Sequence, residues 1–140
     1  MFTYERKVNY YETDQMGVVH HSNYIRWMEE ARVAFLEEIK LPFQLIESRG
    51  IFCPVVAVSV NYKKPSFFGD TFRIEVRLTK FNGIRFEISY TIRNIEDDRI
   101  LTEATSRHCF TKDGRACSLK KVDPELNEIL SRYVEPVEDN

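Results

Sequence analysis

Residues 23–40 read NYIRWMEEARVAFLEEIK, and their spacing decides the fold. Tyr24, Met28, Ala31, Phe35 and Ile39 recur every three or four residues, while Arg26, Glu30, Arg32, Glu37 and Glu38 fill much of the rest. That pattern predicts one long amphipathic helix. Ser22 or Asn23 can supply the N-cap oxygen, Lys40 suits the negative end of the helix dipole, and Pro42 stops continuation. Downstream of a loop ending near Arg49-Gly50 the period changes from 3.6 to 2. Val56, Val58, Val60 and Tyr62 alternate with Ala57, Ser59 and Asn61. Phe72, Ile74, Val76 and Leu78 alternate with Arg73, Glu75, Arg77 and Thr79, and the residues from Ile84 to Arg93 repeat the pattern. These are expected to be antiparallel strands with one wet face.

Asn82-Gly83 closes one hairpin and the Glu96 to Arg99 segment another. Residues 100–111 form the next strand, on which Thr102, Ser106 and His108 share a face with Ile100, Ala104 and Phe110, before Asp113-Gly114 turns again. Residues 3–10, rich in Tyr and Val, read as a first strand, and 124–133 as a terminal helix started by Asp123-Pro124. The class is therefore α+β. A single helix with one apolar stripe must bury it, and the only large partner is the apolar face of the sheet, so an antiparallel sheet is expected to wrap one long central helix. The sheet edges are left for a second copy.

Composition sets the outer limits. The 140 residues are 43% hydrophobic, with five glycines and five prolines, which predicts one compact domain over 1–140. Twenty basic against 22 acidic side chains give a formal charge of −2, too little to attract nucleic acid or an anionic membrane. Cys53, Cys109 and Cys117 lack metal or redox spacing and read as free thiols of a cytoplasmic protein. No signal peptide or membrane span is expected, since charges begin at Glu5 and no apolar run reaches 18 residues.

The connector between the first strand and the helix carries the chemistry. Residues 10–24, YYETDQMGVVHHSNY, concentrate carboxylates, imidazoles, an amide and a hydroxyl where a helix presents unpaired N–H groups and its positive end. Developing negative charge would be stabilised there. Asp14 is close enough in sequence to attack a carbonyl held on those amides, or to direct water at it, and Gly17 would let a ligand approach the backbone. Read from chemistry alone, Asp14 and Ser22 could equally be turn or capping residues, with His20 and His21 as partly exposed polar groups.

The string YETDQMGVVHHSNYIRWMEEAR resembles the hotdog-fold acyl-CoA thioesterases of the 4-hydroxybenzoyl-CoA thioesterase superfamily, and Pro65-Ser66-Phe67-Phe68-Gly69-Asp70 resembles that family's turn between its second and third strands. The resemblance covers about residues 3 to 121 and implies hydrolysis of an acyl-CoA with no metal or redox cofactor. It implies that Asp14 is the catalytic nucleophile or general base, and that the His21 backbone N–H polarises the thioester carbonyl while its side chain lines the site. Tyr10, Asn23 and Gly17 match family positions around the same site. His20 stands where an aromatic is usual, and Tyr11 where a small residue is common, which would alter the acyl pocket rather than the chemistry. The resemblance also implies a homotetramer built from dimers, with each active site between protomers.

A neutral protein must hold the coenzyme A phosphates with a local basic cluster. Lys80 and Arg85 beside Asn82-Gly83, and Arg115, Lys120 and Lys121 after the last strand, are the candidates. Glu29 and Glu30 lie on the helix, where another hotdog branch keeps its catalytic glutamate; here Glu29 is expected to pair with Arg32 at i, i+3. Adjacent His20 and His21, with His108 distant, do not suit a metal. An acyl-CoA-binding module without catalysis, a hotdog hydratase of enoyl or hydroxyacyl thioesters, and an acyl carrier protein as the thiol carrier remain alternatives.

Overall fold

In the computed structural model the described residues are 1–135, so the last five of the expected 1–140 domain lie outside them. In chain order they form β1 (Phe2–Lys7), a 3-10 turn (Tyr10–Glu12), α1 (Ser22–Glu38), α2 (Phe43–Ser48), β2 (Ile51–Phe52) and β3 (Val55–Tyr62). Then follow β4 (Thr71–Phe81), β5 (Arg85–Asn94), β6 (Ile100–Cys109), β7 (Thr111–Lys112), β8 (Arg115–Ala116), α3 (Leu119–Val122) and α4 (Pro124–Arg132). The main sheet is antiparallel in the order β1-β4-β5-β6-β3, and β2, β7 and β8 make a small second one. As the periodicity predicts, the sheet wraps α1.

All five residues of the predicted stripe are buried, together with Trp27 and Leu36. The Trp27 ring lies 4.3 Å from that of Phe72, between helix and sheet. Met28, Phe35, Leu36 and Ile39 each contribute about 1.5–3 kcal/mol by leaving water. On the sheet, Phe72, Ile74, Val76 and Leu78 meet Phe86, Ile88, Tyr90 and Ile92 on the same buried face. The opposite face is wet but ordered by ion pairs: Glu75 takes Arg93 at 3.0 Å, and Glu87 takes Arg107 at 3.0 Å.

Several expectations need correction. Arg32 is not on the wet side of α1 and does not pair with Glu29. It is buried and donates to the Tyr90 hydroxyl at 3.2 Å. That hydroxyl meets Ser106 at 2.7 Å, and Ser106 meets His108 Nε2 at 2.7 Å. Arg32, Tyr90, Ser106 and His108 thus form one buried chain, while Arg32 Nε, Thr102 Oγ1 and His108 Nδ1 have no partner among the described residues. Neither Ser22 nor Asn23 caps α1; His21 occupies the N-cap, and the Ser22 N–H goes to His20 Nδ1 at 3.2 Å. Lys40 lies beyond the helix at φ 68°, where the chain folds back so that the Leu41 N–H reaches Leu36 O at 2.8 Å. β1 ends at Lys7, earlier than expected, and the 42–50 loop contains α2. A register shift between Val55 and Ala57 takes Val56 out of the alternation, after which Val58, Val60 and Tyr62 face Ser106, Ala104 and Thr102.

Candidate active site

The connector is built as a small hairpin. Glu12 O accepts the His20 N–H at 3.0 Å, Thr13 bridges Val19, and the Asp14 N–H reaches Val18 O at 2.8 Å. The turn closes when the Gly17 N–H meets Asp14 O at 3.1 Å, with Gly17 at φ 77°, a conformation that favours glycine. A Cβ there would meet nothing within 4 Å, so the space above Gly17 is open. Asp14 Oδ1 accepts the N–H groups of Met16 at 2.8 Å and Val18 at 3.1 Å. Its other oxygen has no hydrogen-bond partner among the described residues, and the side chain is exposed. The hairpin rests on the Pro65 to Asp70 turn, where the Val19 N–H meets Ser66 O at 2.9 Å and the Phe68 N–H meets Gly17 O at 3.1 Å.

His21 stands where this hairpin feeds α1, and its backbone N–H has no partner among the described residues. Its ring stacks on His20 with centroids 4.3 Å apart and turns an edge to Tyr62, whose hydroxyl donates to His21 O at 3.3 Å. Asn23 is buried, its Nδ2 donating to Glu12 O at 2.9 Å and His20 O at 3.3 Å. Tyr10 is 76% exposed and packs edge-on against Phe68, with centroids 5.5 Å apart. Exposed Tyr11, Met16 and Phe67 complete an apolar collar.

The fold therefore brings Asp14, Gly17, Tyr10, His21 and Asn23 to one end of the sheet, where β3 and β5 finish and β4 and β6 begin. It puts the five expected cations at the other. Lys80 and Arg85 line an open groove of about 830 Å³ with Val56, Phe81, Glu87 and Arg107. Lys120 and Lys121 are on α3, whose first N–H, from Leu119, binds Gly83 O at 2.8 Å, and Arg115 is on β8 beyond β6. Arg85, Arg115, Lys120 and Lys121 make no ion pair among the described residues, and Lys80 lies 3.8 Å from Glu87. Partial burial would raise the Glu87 carboxyl, but Arg107, Lys80 and Thr79 outweigh it and hold it below its ordinary value. The ten residues of β5 separate the two ends by about 30 Å.

Sequence reading missed Arg107 in the groove and Glu12 beneath the hairpin. The spacing Asn9-x-x-Glu12 is that of a capping box, which is the signal that could have revealed Glu12. Of the helix carboxylates, Glu30 is engaged by Tyr4 at 3.1 Å and Arg6 at 3.3 Å, and Glu29 is exposed on the outer side of α1. Among the described residues no three His, Cys, Asp or Glu side chains gather as metal ligands, and no helix is long and apolar enough to cross a membrane.

A sheet wrapped around one helix in this strand order is the hotdog fold, and solved structures agree. A hypothetical protein from Aquifex aeolicus superposes with a TM-score of 0.85 at 35% identity, covering 93% of this chain and 99% of that one. A DHNA-CoA thioesterase from Staphylococcus aureus gives 0.86 at 29% identity, covering 93% and 88%. In sequence, a 1,4-dihydroxy-2-naphthoyl-CoA hydrolase from Synechocystis is 32% identical over 76% of this chain and 78% of its own length. The family profile of the thioesterase-like superfamily matches residues 8–130, and the chain belongs to that superfamily.

Proposed function

We propose that the protein hydrolyses an acyl-CoA to a free carboxylic acid and coenzyme A. One observation carries the reading: Asp14 is held through one carboxylate oxygen by the Met16 and Val18 N–H groups, and among the described residues neither its other oxygen nor the His21 N–H at the start of α1 has a partner. The thioester oxygen would rest on that N–H, where the helix dipole stabilises the charge that develops as the carbonyl is attacked. Asp14 supplies the attack, as nucleophile or as the base that takes a proton from water. The C–S bond then breaks, and water contributes the hydroxyl of the acid and the proton of the thiol.

The separation of Asp14 from the cations favours a site shared between copies. β3 is an edge strand, and Val55, Val58 and Tyr62 on its apolar row are 45%, 42% and 46% exposed. Antiparallel pairing of two β3 edges would set Val55, next to the groove-lining Val56, opposite the partner's Tyr62, which holds the helix start. One copy would then contribute Asp14, and the other Lys80, Arg85, Arg115, Lys120 and Lys121 to the phosphates. Two such dimers make the homotetramer. The three free thiols suit a cytoplasmic protein, and the chemistry uses no metal or redox cofactor. An acyl carrier protein bears the same type of thiol arm and is the alternative carrier.

The test is release of free thiol over time from a panel of short aliphatic, long aliphatic and aryl-CoA thioesters. Catalytic release from at least one is expected, and the naphthoyl-CoA substrates named for the Synechocystis and Staphylococcus aureus relatives make aryl-CoA the first arm to try. Stoichiometric binding with no release from any would overturn the reading in favour of an acyl-binding module.

A further inference from the structure

We infer that Glu12 is a positioning residue that sets the Asp14 carboxylate relative to the His21 N–H, an inference that rests on the hydrolase reading. Glu12 is 3% exposed, and three donors converge on its carboxylate. Oε2 accepts Arg6 Nη1 at 2.6 Å and Trp27 Nε1 at 2.7 Å, and Oε1 accepts the Asn9 N–H at 2.8 Å. Arg6 also lies over the Trp27 ring, 5.5 Å from its centroid, and meets Glu30. Strand β1, helix α1 and the start of the connector are thus tied to one side chain.

The main chain of the same residue carries that anchorage to the site. Glu12 O accepts both the His20 N–H and Asn23 Nδ2, so it fixes the residue before His21 and the first turn of α1. From this rung the hairpin runs through the Thr13–Val19 bridge to the Asp14–Val18 bond. Asp14 thus stands two residues out along one arm, and His21 one residue beyond the other. An isolated two-stranded hairpin is marginal in water, and the tip of this one, Asp14 to Met16, is exposed. The 65–70 turn holds the Gly17 to Val19 arm through Ser66 and Phe68, and Glu12 binds the other arm, the one that carries Asp14, to the core. A misplacement of 1 Å at a reacting group costs up to about a hundredfold in rate.

Glu12→Gln preserves size but offers one acceptor oxygen where three donors point, and presents an amide N–H₂ to at least one of them. In steady-state hydrolysis of whichever CoA thioester the wild type turns over best, kcat is expected to fall roughly ten- to a hundredfold. KM is expected to stay within about threefold, because the cations proposed to hold coenzyme A come from the other copy and none of them is bonded to Glu12. Trp27→Phe, which removes one donor and keeps the ring, is expected to lower kcat in the same direction by less, and serves if Glu12→Gln does not fold. The decisive arm is the double variant. Adding Glu12→Gln (or Trp27→Phe) to Asp14→Asn is expected to cost no more than about a further threefold, because a misplaced distance is irrelevant once the carboxylate is gone. Fully additive losses, a change in KM alone, or wild-type kcat in both single variants would overturn the inference. Full activity of Asp14→Asn by itself would instead overturn the hydrolase reading on which it rests.

Discussion

His108 shows how one residue links the core to solution conditions. Burial disfavours its cation, Arg32 beside it adds to the effect, and together they lower its pKa from 6.5 to about 4 despite an opposing backbone contact at Cys53. The unfolded chain therefore binds a proton that the folded one refuses between those values, and folding stability rises with pH across that window. The contribution is complete above about pH 6.5 and lost as pH falls toward 4. Thermal midpoints measured from pH 4 to 7 should fall more steeply toward acid in the wild type than in His108→Gln, which can keep the bond to Ser106 without titrating. Parallel curves would contradict this assignment. Arg32 makes the complementary point: with one bond to a neutral hydroxyl and no carboxylate partner among the described residues, it marks an expensive choice in a core where β4 and β5 present Ile74, Val76, Leu78, Ile88 and Ile92.

At the scale of elements, β3 is the informative one. Seven of its eight residues are exposed, although its sequence is as apolar as any strand in the sheet. Such an edge invites pairing, and in this protein the pairing is read as the dimer contact. Val58→Asp puts a carboxylate in the middle of that contact, at a position 42% exposed in the single chain, so the fold should tolerate it. Sedimentation velocity is expected to show wild type as a dimer or larger and the variant as a folded monomer, with hydrolysis largely lost although Asp14 is untouched. An unchanged species would contradict the shared site.

Legibility in the sequence followed the same division. The stripe of α1 and the alternation of β4 and β5 were readable because each has one dry face, so period alone reports burial. β3 was readable as a strand, but the shift at Val56 was not, since a bulge is a property of two paired strands and leaves no local pattern. Arg32 was misread because charge normally marks the wet side of a helix, and its partner Tyr90 lies 58 residues away. The Asp14 hairpin and helix start were visible as a concentration of polar residues. That the Lys80 and Arg85 groove lies at the opposite end of the sheet was not, because only strand order determines it.

For the whole molecule, near-neutral charge and small size acquire a specific sense. A 140-residue chain with one long helix and one main wrapping sheet holds its carboxylate loop and its candidate cations at opposite ends of β5, about 30 Å apart, and the proposed function needs both at one substrate. Association of two copies, as proposed, would bring both to one substrate. The claim on which everything else depends is that Asp14 performs the chemistry. Turnover of a reactive CoA thioester by Asp14→Asn, in protein shown to keep its assembly and its thermal midpoint, tests it most directly. The account predicts a fall in kcat of about a hundredfold or more with substrate still bound. Hydrolysis within a few-fold of wild type would contradict it.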